Sequence, residues 1–215
     1  MTKNYDLTVA YRICPRVSNN CKLFQPDEKL NLSRICLKSF AESWGGLNVK
    51  VIAILDNCPK EYLNIFRNFI PREDLEIVQI SSMSNRHSFL TQINQLLVQI
   101  YSEHVFLLED DYLFQPGSLP ILVKYLKHSQ VDFLTPYLHR DYFMDPFFQT
   151  TRRFYEYEEY IFQEVMSTCC TFLTTKTILE ETKSQFMLFG NKGTSDQQIF
   201  LRLTKNSMFN ISDRK

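Results

Sequence analysis

Three consecutive carboxylates, Glu109, Asp110 and Asp111, directly follow the apolar run 105–108. Buried carboxylates are unfavourable unless cations or hydrogen-bond donors compensate them. Acids that follow a buried strand are instead well placed for Mg²⁺ or Mn²⁺, which prefer oxygen ligands and often share them with phosphate. Ligands of open α/β sheets also bind at this edge. The triplet therefore predicts a divalent-cation site; the alternative is a solvated acidic loop.

Other side chains with suitable chemistry follow predicted strands. Asp56 ends the apolar strand 49–55 and could accept hydrogen bonds from a nucleoside, or simply form an Asx-turn. Tyr11 and Arg12 end the first strand, where a ring can stack on a base and a guanidinium can face a phosphate. Both could equally be ordinary edge residues.

Two further candidates lie at predicted helix starts. Arg86 stands in a first helical turn, where backbone N–H groups and a guanidinium together suit an anion, or where it is merely exposed. Asp196 follows a glycine-bearing loop and is either a helix-capping acid or a general base. Of the four histidines, His139 is best placed to reach the site. The aromatic stretch 142–162 lines a sugar-binding wall or covers the core.

The order of elements predicts the fold class. Helical spacing alternates with apolar, β-branched runs, and this alternation is typical of a parallel, doubly wound sheet with helices on both faces. The predicted strands cover 7–13, 49–55, 75–80, 105–108, 131–138 and 167–175, and the predicted helices cover 30–44, 60–69, 86–101, 116–128 and 177–188, with a last one from 196.

Bulk composition excludes several classes of protein. The chain has 215 residues, 44% of them hydrophobic, which is typical of one folded domain. Lys+Arg and Asp+Glu are both 24, so a generally basic nucleic-acid-binding surface is not expected. Six cysteines lack C-x-x-C spacing and no apolar run is long enough to span a membrane. These features predict a cytoplasmic protein.

Taken together, these residues resemble a GT-A glycosyltransferase of the family-2-like type. The resemblance follows the order Tyr11-Arg12, residues 51–56, Asn85-Arg86, residues 106–111 and residues 193–196. It is nearest to the short glycosyltransferase domain of large algal viruses (chlorovirus type), which would place the protein in the host cytoplasm. The implied fold is Rossmann-like, a three-layer α/β/α sandwich with a mostly parallel central sheet.

The resemblance also implies roles by position. Asp111 matches the direct ligand of Mn²⁺ or Mg²⁺, Asp110 a ribose or sugar contact, and Glu109 a supporting residue. Asp56 and Tyr11 match uracil contacts, and Arg86 matches a residue that touches base or phosphate. Asp196 matches the general base of inverting members, although Ser195 precedes it where many members have Glu. No His follows His139, so a further metal-binding His of the family is not matched.

The function that follows is transfer of a hexose from a nucleotide sugar, by family preference a UDP-sugar, to a glycan hydroxyl. A single domain would cover 1–215, with a donor-binding half at about 1–112 and an acceptor-binding half at about 113–215. The chain end lacks an obvious stop feature, which leaves open a longer protein. Two alternatives stay open: a non-catalytic domain that binds nucleotide sugars or glycans, and a metal-dependent nucleotidyltransferase, although no glycine-rich phosphate loop follows the first strand.

Overall fold

The computed structural model describes residues 3–15, 28–82, 85–99, 101–129, 131–135, 150–158, 160–165 and 171–182. Within these residues a central sheet has six strands in the order β3-β2-β1-β4-β8-β5, and a separate two-stranded sheet pairs β6 with β7. The strands are β1 (Leu7–Ile13), β2 (Val49–Asp56), β3 (Leu75–Ile80), β4 (His104–Glu109), β5 (Phe133–Leu134), β6 (Thr150–Tyr157), β7 (Tyr160–Val165) and β8 (Phe172–Thr175).

The first four strands are parallel to one another, and β8 is the antiparallel member of the sheet. Because β8 pairs antiparallel with both β4 and β5, β5 runs in the same direction as β4. The side chains of β1 and the interior of β4 are buried, as expected for strands covered on both faces. The predicted mostly parallel α/β sheet is confirmed.

Helices cover both faces of the sheet and complete the predicted three layers. One apolar cluster joins α1, α2 and α4 to the face that carries Tyr11, and a second joins α3 and residues 176–182 to the face that carries Ala10. Alternation along β1 sends neighbouring side chains to opposite faces. The helices are α1 (Lys29–Glu42), α2 (Lys60–Phe69), α3 (Asn85–Val98) and α4 (Leu119–His128). In the part of the chain that the structure describes, no helix is both long and apolar enough to cross a bilayer.

Two predictions about elements differ from the structure. The fifth strand covers only Phe133–Leu134 of the predicted 131–138, of which 136–138 lie outside the described residues. The aromatic stretch contains the β6–β7 hairpin, which the sequence interpretation missed. Aromatic residues have high β-propensity, and five of the nine residues in 154–162 are aromatic, which is the signal that favours strands here. Residues 176–182 are helical, in agreement with the helix predicted over 177–188; the rest of that helix and the helix predicted from 196 lie outside the described residues.

The turn after α1 packs closely against the segment that follows the acidic triplet. Gly45 has a φ of +53°, and a Cβ built there would lie 2.8 Å from Cγ of Pro120 and 3.2 Å from Cα of Gly117. The backbone N–H of Gly117 donates to the carbonyl of Glu42 at 3.1 Å, and that of Leu119 donates to the carbonyl of Ser43 at 3.0 Å. The C-terminal end of α1 therefore holds the start of α4 in place.

We expect Gly45→Ala to lower the free energy of unfolding by more than Gly46→Ala. Both substitutions place an L-residue at positive φ, which costs about 1–2 kcal/mol. Only the Gly45 variant also adds a steric clash, since no atom lies within 4 Å of a Cβ built at Gly46. Urea unfolding of both variants measures the difference, and equal losses would show that the close contact with Pro120 contributes nothing.

Candidate active site

The acidic triplet stands at the carboxyl end of β4, and its first member forms an ion pair with β1. Parallel pairing places Arg12 directly opposite Glu109, and the guanidinium contacts the Glu109 carboxylate. Arg12 is 9% exposed, and its guanidinium carbon lies 5.8 Å from the ring centroid of Phe89 on α3. The backbone N–H of Glu109 donates to Oγ1 of Thr171, just before β8, at 3.3 Å. Elements from both halves of the chain thus meet at Glu109.

The second acid, Asp110, is bound to the N-terminal turns of α1. Lys29 Nζ donates to Oδ1 of Asp110 at 2.8 Å, and the Ser33 hydroxyl donates to Oδ2. The side chains of Lys29 and Asp110 are 11% and 7% exposed. Because both oxygens of Asp110 are engaged inside the protein, this geometry does not support its predicted contact with ribose or sugar. Loss of one partner from such a buried pair typically costs about 3–5 kcal/mol.

The third acid, Asp111, faces solvent and has no ion-pair partner among the described residues. Desolvation by surrounding protein atoms and the neighbouring charge of Asp110 raise the pKa of Asp111, while Lys29 and Arg12 act in the opposite direction. The described residues contain no group of three or more His, Cys, Asp or Glu side chains arranged to hold a metal ion. One open carboxylate does fit a cation that takes its other ligands from water and a diphosphate, as Mg²⁺ commonly does.

The end of β2 is fixed to the segment after β3 by Asp56, which is fully buried. Its Oδ1 accepts hydrogen bonds from the backbone N–H of Ser82 at 2.9 Å and from Nδ2 of Asn57 at 3.0 Å, and its Oδ2 accepts from the Ser82 hydroxyl at 2.5 Å. Asn57 has a φ of +55°, a conformation that Asn tolerates better than most residues. The described geometry therefore supports a role in joining β2 to β3 rather than a contact with a uracil base.

Tyr11 lies in the hydrophobic core, and this corrects the expectation that its ring stacks on a base. The residue is 1% exposed, and its ring centroid lies 5.6 Å from that of Phe40 and 5.3 Å from that of Phe66. Burial raises the pKa of Tyr11 well above its usual value, with a smaller contribution from Asp110. The cause is strand alternation, because Arg12 turns toward α3 and Tyr11 consequently turns toward α1 and α2.

A buried glutamine that the sequence analysis missed holds two strand ends together. Gln92 of α3 is fully buried, and its Nε2 donates to the carbonyl of Ala10 at 2.7 Å and to that of Leu108 at 3.1 Å. These carbonyls belong to the strands that carry Arg12 and Glu109. Helical spacing is the signal that could have found it, because Gln92 lies three residues after Phe89 and four before Leu96, beside the apolar face of the helix.

The remaining predicted residues are only partly described. Arg86 does lie in the first turn of a helix, since α3 begins at Asn85, and its predicted ligand contact stays a prediction. Asp196 and His139 lie outside the described residues, as does most of the predicted aromatic wall. Their assignment to the site therefore stays a prediction.

Two cysteines near this edge are not suited to nucleophilic chemistry. Burial, with smaller contributions from nearby acids, raises the pKa of the Cys36 thiol to about 12 and that of Cys58 to about 12. Thiols with such pKa values stay protonated at neutral pH, and the thiolate is the reactive form. Cys36 and Cys58 therefore supply no nucleophile at this edge of the sheet.

Comparison with known proteins identifies one family for most of the chain. The family described as "Glycosyltransferase like family 2" matches residues 29–208. No curated protein matches the chain in sequence.

Solved structures share the fold at low sequence identity. A putative nucleotide-diphospho-sugar transferase from Desulfovibrio desulfuricans is 10% identical, with a TM-score of 0.54 over 94% of this chain and 76% of that one. TarS 1–349 from S. aureus is 14% identical, with a TM-score of 0.56 over 92% of this chain and 54% of that one. The chain thus spans about three quarters and about half of these two structures. At such identities the similarity shows the fold alone, and this fold agrees with the predicted GT-A type.

We expect Asp56→Asn to destabilise the fold by about 1–3 kcal/mol. The carboxylate of Asp56 accepts three hydrogen bonds in a buried site, and the NH₂ group of Asn would point at one of these donors instead of accepting from it. Ser81→Ala is the matched control, because it removes an exposed hydrogen bond of 2.7 Å to the neighbouring Asn57 and should change stability by less than about 0.5 kcal/mol. Chemical denaturation measures both. A variant at Asp56 as stable as the wild type would contradict the joining role.

Proposed function

Because this chain belongs to the glycosyltransferase-like family 2, we propose that it transfers a hexose from a nucleotide sugar, preferably a UDP-sugar, to a hydroxyl of a glycan acceptor. The observation that carries the proposal is the exposed position of the Asp111 carboxylate. It lies exposed at the carboxyl end of a parallel sheet, where ligands of such folds bind, while Glu109 and Asp110 are engaged with cationic side chains.

Asp111 is the residue that would hold Mn²⁺ or Mg²⁺, together with oxygens of the donor diphosphate. When bound, such a cation neutralises negative charge that develops on the leaving diphosphate. Arg12 and Lys29 balance the charges of Glu109 and Asp110. The corner therefore presents about one net negative charge from the triplet instead of three, which lowers the electrostatic barrier to an anionic donor.

The proton of the acceptor hydroxyl goes to Asp196 in this proposal. The acceptor oxygen attacks the anomeric carbon from the side opposite the diphosphate, and the bond from that carbon to the diphosphate oxygen breaks with its electron pair. Configuration is therefore inverted. A carboxylate within hydrogen-bond reach of the hydroxyl is a suitable general base. The assignment of Asp196 rests on the resemblance in residues 193–196, and so does that of Arg86 as a base or phosphate contact.

The donor-binding half would cover about 1–112 and the acceptor-binding half about 113–215. The first of these holds β1 to β4, α1 to α3 and the acidic triplet. The relationship to short glycosyltransferase domains of large algal viruses, and with it a place in the host cytoplasm, rests on the sequence resemblance alone.

A thermal-shift screen of nucleotide sugars with and without Mn²⁺ tests the donor class. We expect one donor, most favourably a UDP-hexose, to raise the melting temperature only when Mn²⁺ is present, because a ligand that binds only the folded state stabilises it. Asp111→Asn should abolish this shift without lowering the melting temperature of the unliganded protein by more than a few degrees. Slow release of UDP separates a transferase from a binding domain, and release of pyrophosphate would indicate a nucleotidyltransferase.

The Asp196→Asn variant tests the general base. We expect donor binding and its Mn²⁺ dependence to stay as in the wild type, while turnover with an acceptor falls by about 10²–10⁴-fold, the usual contribution of a positioned base. Calorimetric donor titration and product formation measure the two properties separately. Unchanged turnover would exclude Asp196 from the proton transfer and leave the donor assignment intact.

A further inference from the structure

The three acids of the triplet are held by different partners. Glu109 is paired with Arg12 of β1, and Asp110 is paired with Lys29 and Ser33 of α1. Asp111 has no such partner among the described residues. A turn with three adjacent carboxylates repels itself, so its conformation depends on which of them are neutralised.

The contacts to Asp110 come from one face of α1. Lys29 and Ser33 are four residues apart, so both side chains lie on the same side of the helix. Lys29 Nζ lies 2.8 Å from Oδ1, and Ser33, fully buried, donates to Oδ2. Each carboxylate oxygen therefore has its own donor, which fixes the orientation of the Asp110 side chain and not only its position.

The same helix holds the segment that follows the triplet. The backbone N–H of Phe114 donates to the Ser39 hydroxyl at 3.2 Å, and the N–H of Gly117 donates to the carbonyl of Glu42 at 3.1 Å. From Asp110 to Gly117 the segment is thus bound to α1 at both ends. Asp111 lies between these attachment points, and the first of them is the ion pair with Lys29.

We propose that Lys29 is a positioning residue for the donor site: through Asp110 it fixes the turn after β4 so that Asp111 is held in the orientation that binds the cation and the diphosphate. The inference rests on the proposed function. Ser33 supports the same arrangement through the second oxygen of Asp110. Groups that orient a ligand residue typically change metal affinity by about 10- to 100-fold when they are removed.

An effect of Lys29 through charge alone would change Mn²⁺ affinity in the opposite sense to an effect through positioning. If Lys29 only neutralised charge, its removal would make the corner more negative and would tighten cation binding. If Lys29 positions the turn, its removal weakens cation binding although the charge becomes more favourable. The two explanations therefore differ in the sign of the change.

The test is titration of Mn²⁺ alone into the purified chain, followed by the loss of the free Mn²⁺ signal in electron paramagnetic resonance. UDP is omitted, because it binds Mn²⁺ itself and its negative charge would be repelled more strongly once Lys29 is removed. We expect Lys29→Met to weaken Mn²⁺ binding by about tenfold, and Lys29→Arg to restore most of the affinity because it keeps a cation on a long stem. Lys38→Met is the matched control on the same helix, because its pair with Glu42 is exposed at 3.7 Å. It should bind Mn²⁺ like the wild type.

The outcomes separate the inference from the function. Unchanged or tighter Mn²⁺ binding by folded Lys29→Met would overturn the positioning role and leave the donor site intact. Absence of Mn²⁺ binding by the wild type would overturn the inference, and absence of any Mn²⁺-dependent thermal shift with nucleotide sugars would overturn the proposed function as well. If thermal melting shows that Lys29→Met does not fold, Ser33→Ala decides, since it removes the donor to Oδ2 of Asp110 and should weaken Mn²⁺ binding by about tenfold. Wild-type affinity in a folded Ser33→Ala would overturn the inference.

Discussion

The parallel pairing of β1 with β4 places Arg12 opposite Glu109, and this register determines how the acidic triplet is used. The ion pair removes the first carboxylate from the open side of the sheet edge. The chain must then turn, and α1 takes up the second carboxylate through Lys29. Only the third acid is left to face solvent. A shift of β1 by one residue would send Arg12 to the other face and leave Glu109 without its counter-ion.

Much of the fold could be predicted because its signals are local. The strand Leu75–Ile80 and the helix Lys60–Phe69 agree with the predicted bounds, since each is a periodic segment closed by a proline or a polar turn. The short extent of β5 and the antiparallel direction of β8 could not be predicted. Both depend on pairing of β8 with segments about forty and about seventy residues earlier in the chain, for which a single sequence carries no local signal.

The position of the acidic triplet could be predicted from the sequence, but the side chains that its members contact could not. Placing the triplet at a strand end required only the apolar run before it. Asp111 rather than Asp110 faces solvent because Lys29 binds Asp110. The two residues are 81 positions apart, and nothing in the sequence indicates that they meet. Likewise, hydrogen bonds to the buried Asp56 come from Ser82, which lies 26 positions away. Tyr11 is buried because it lies on the opposite face of β1 from Arg12. Asp196 stays a prediction.

The antiparallel strand between β4 and β5 also affects the order in which the chain can fold during synthesis. Strands β1 to β4 are complete once residue 109 has been made, but the neighbour of β4 on its other side comes only with Phe172–Thr175. Until then β4 presents an unpaired edge of apolar residues, which is a typical starting point for aggregation. A nascent chain halted between these positions would therefore be a natural substrate for a chaperone.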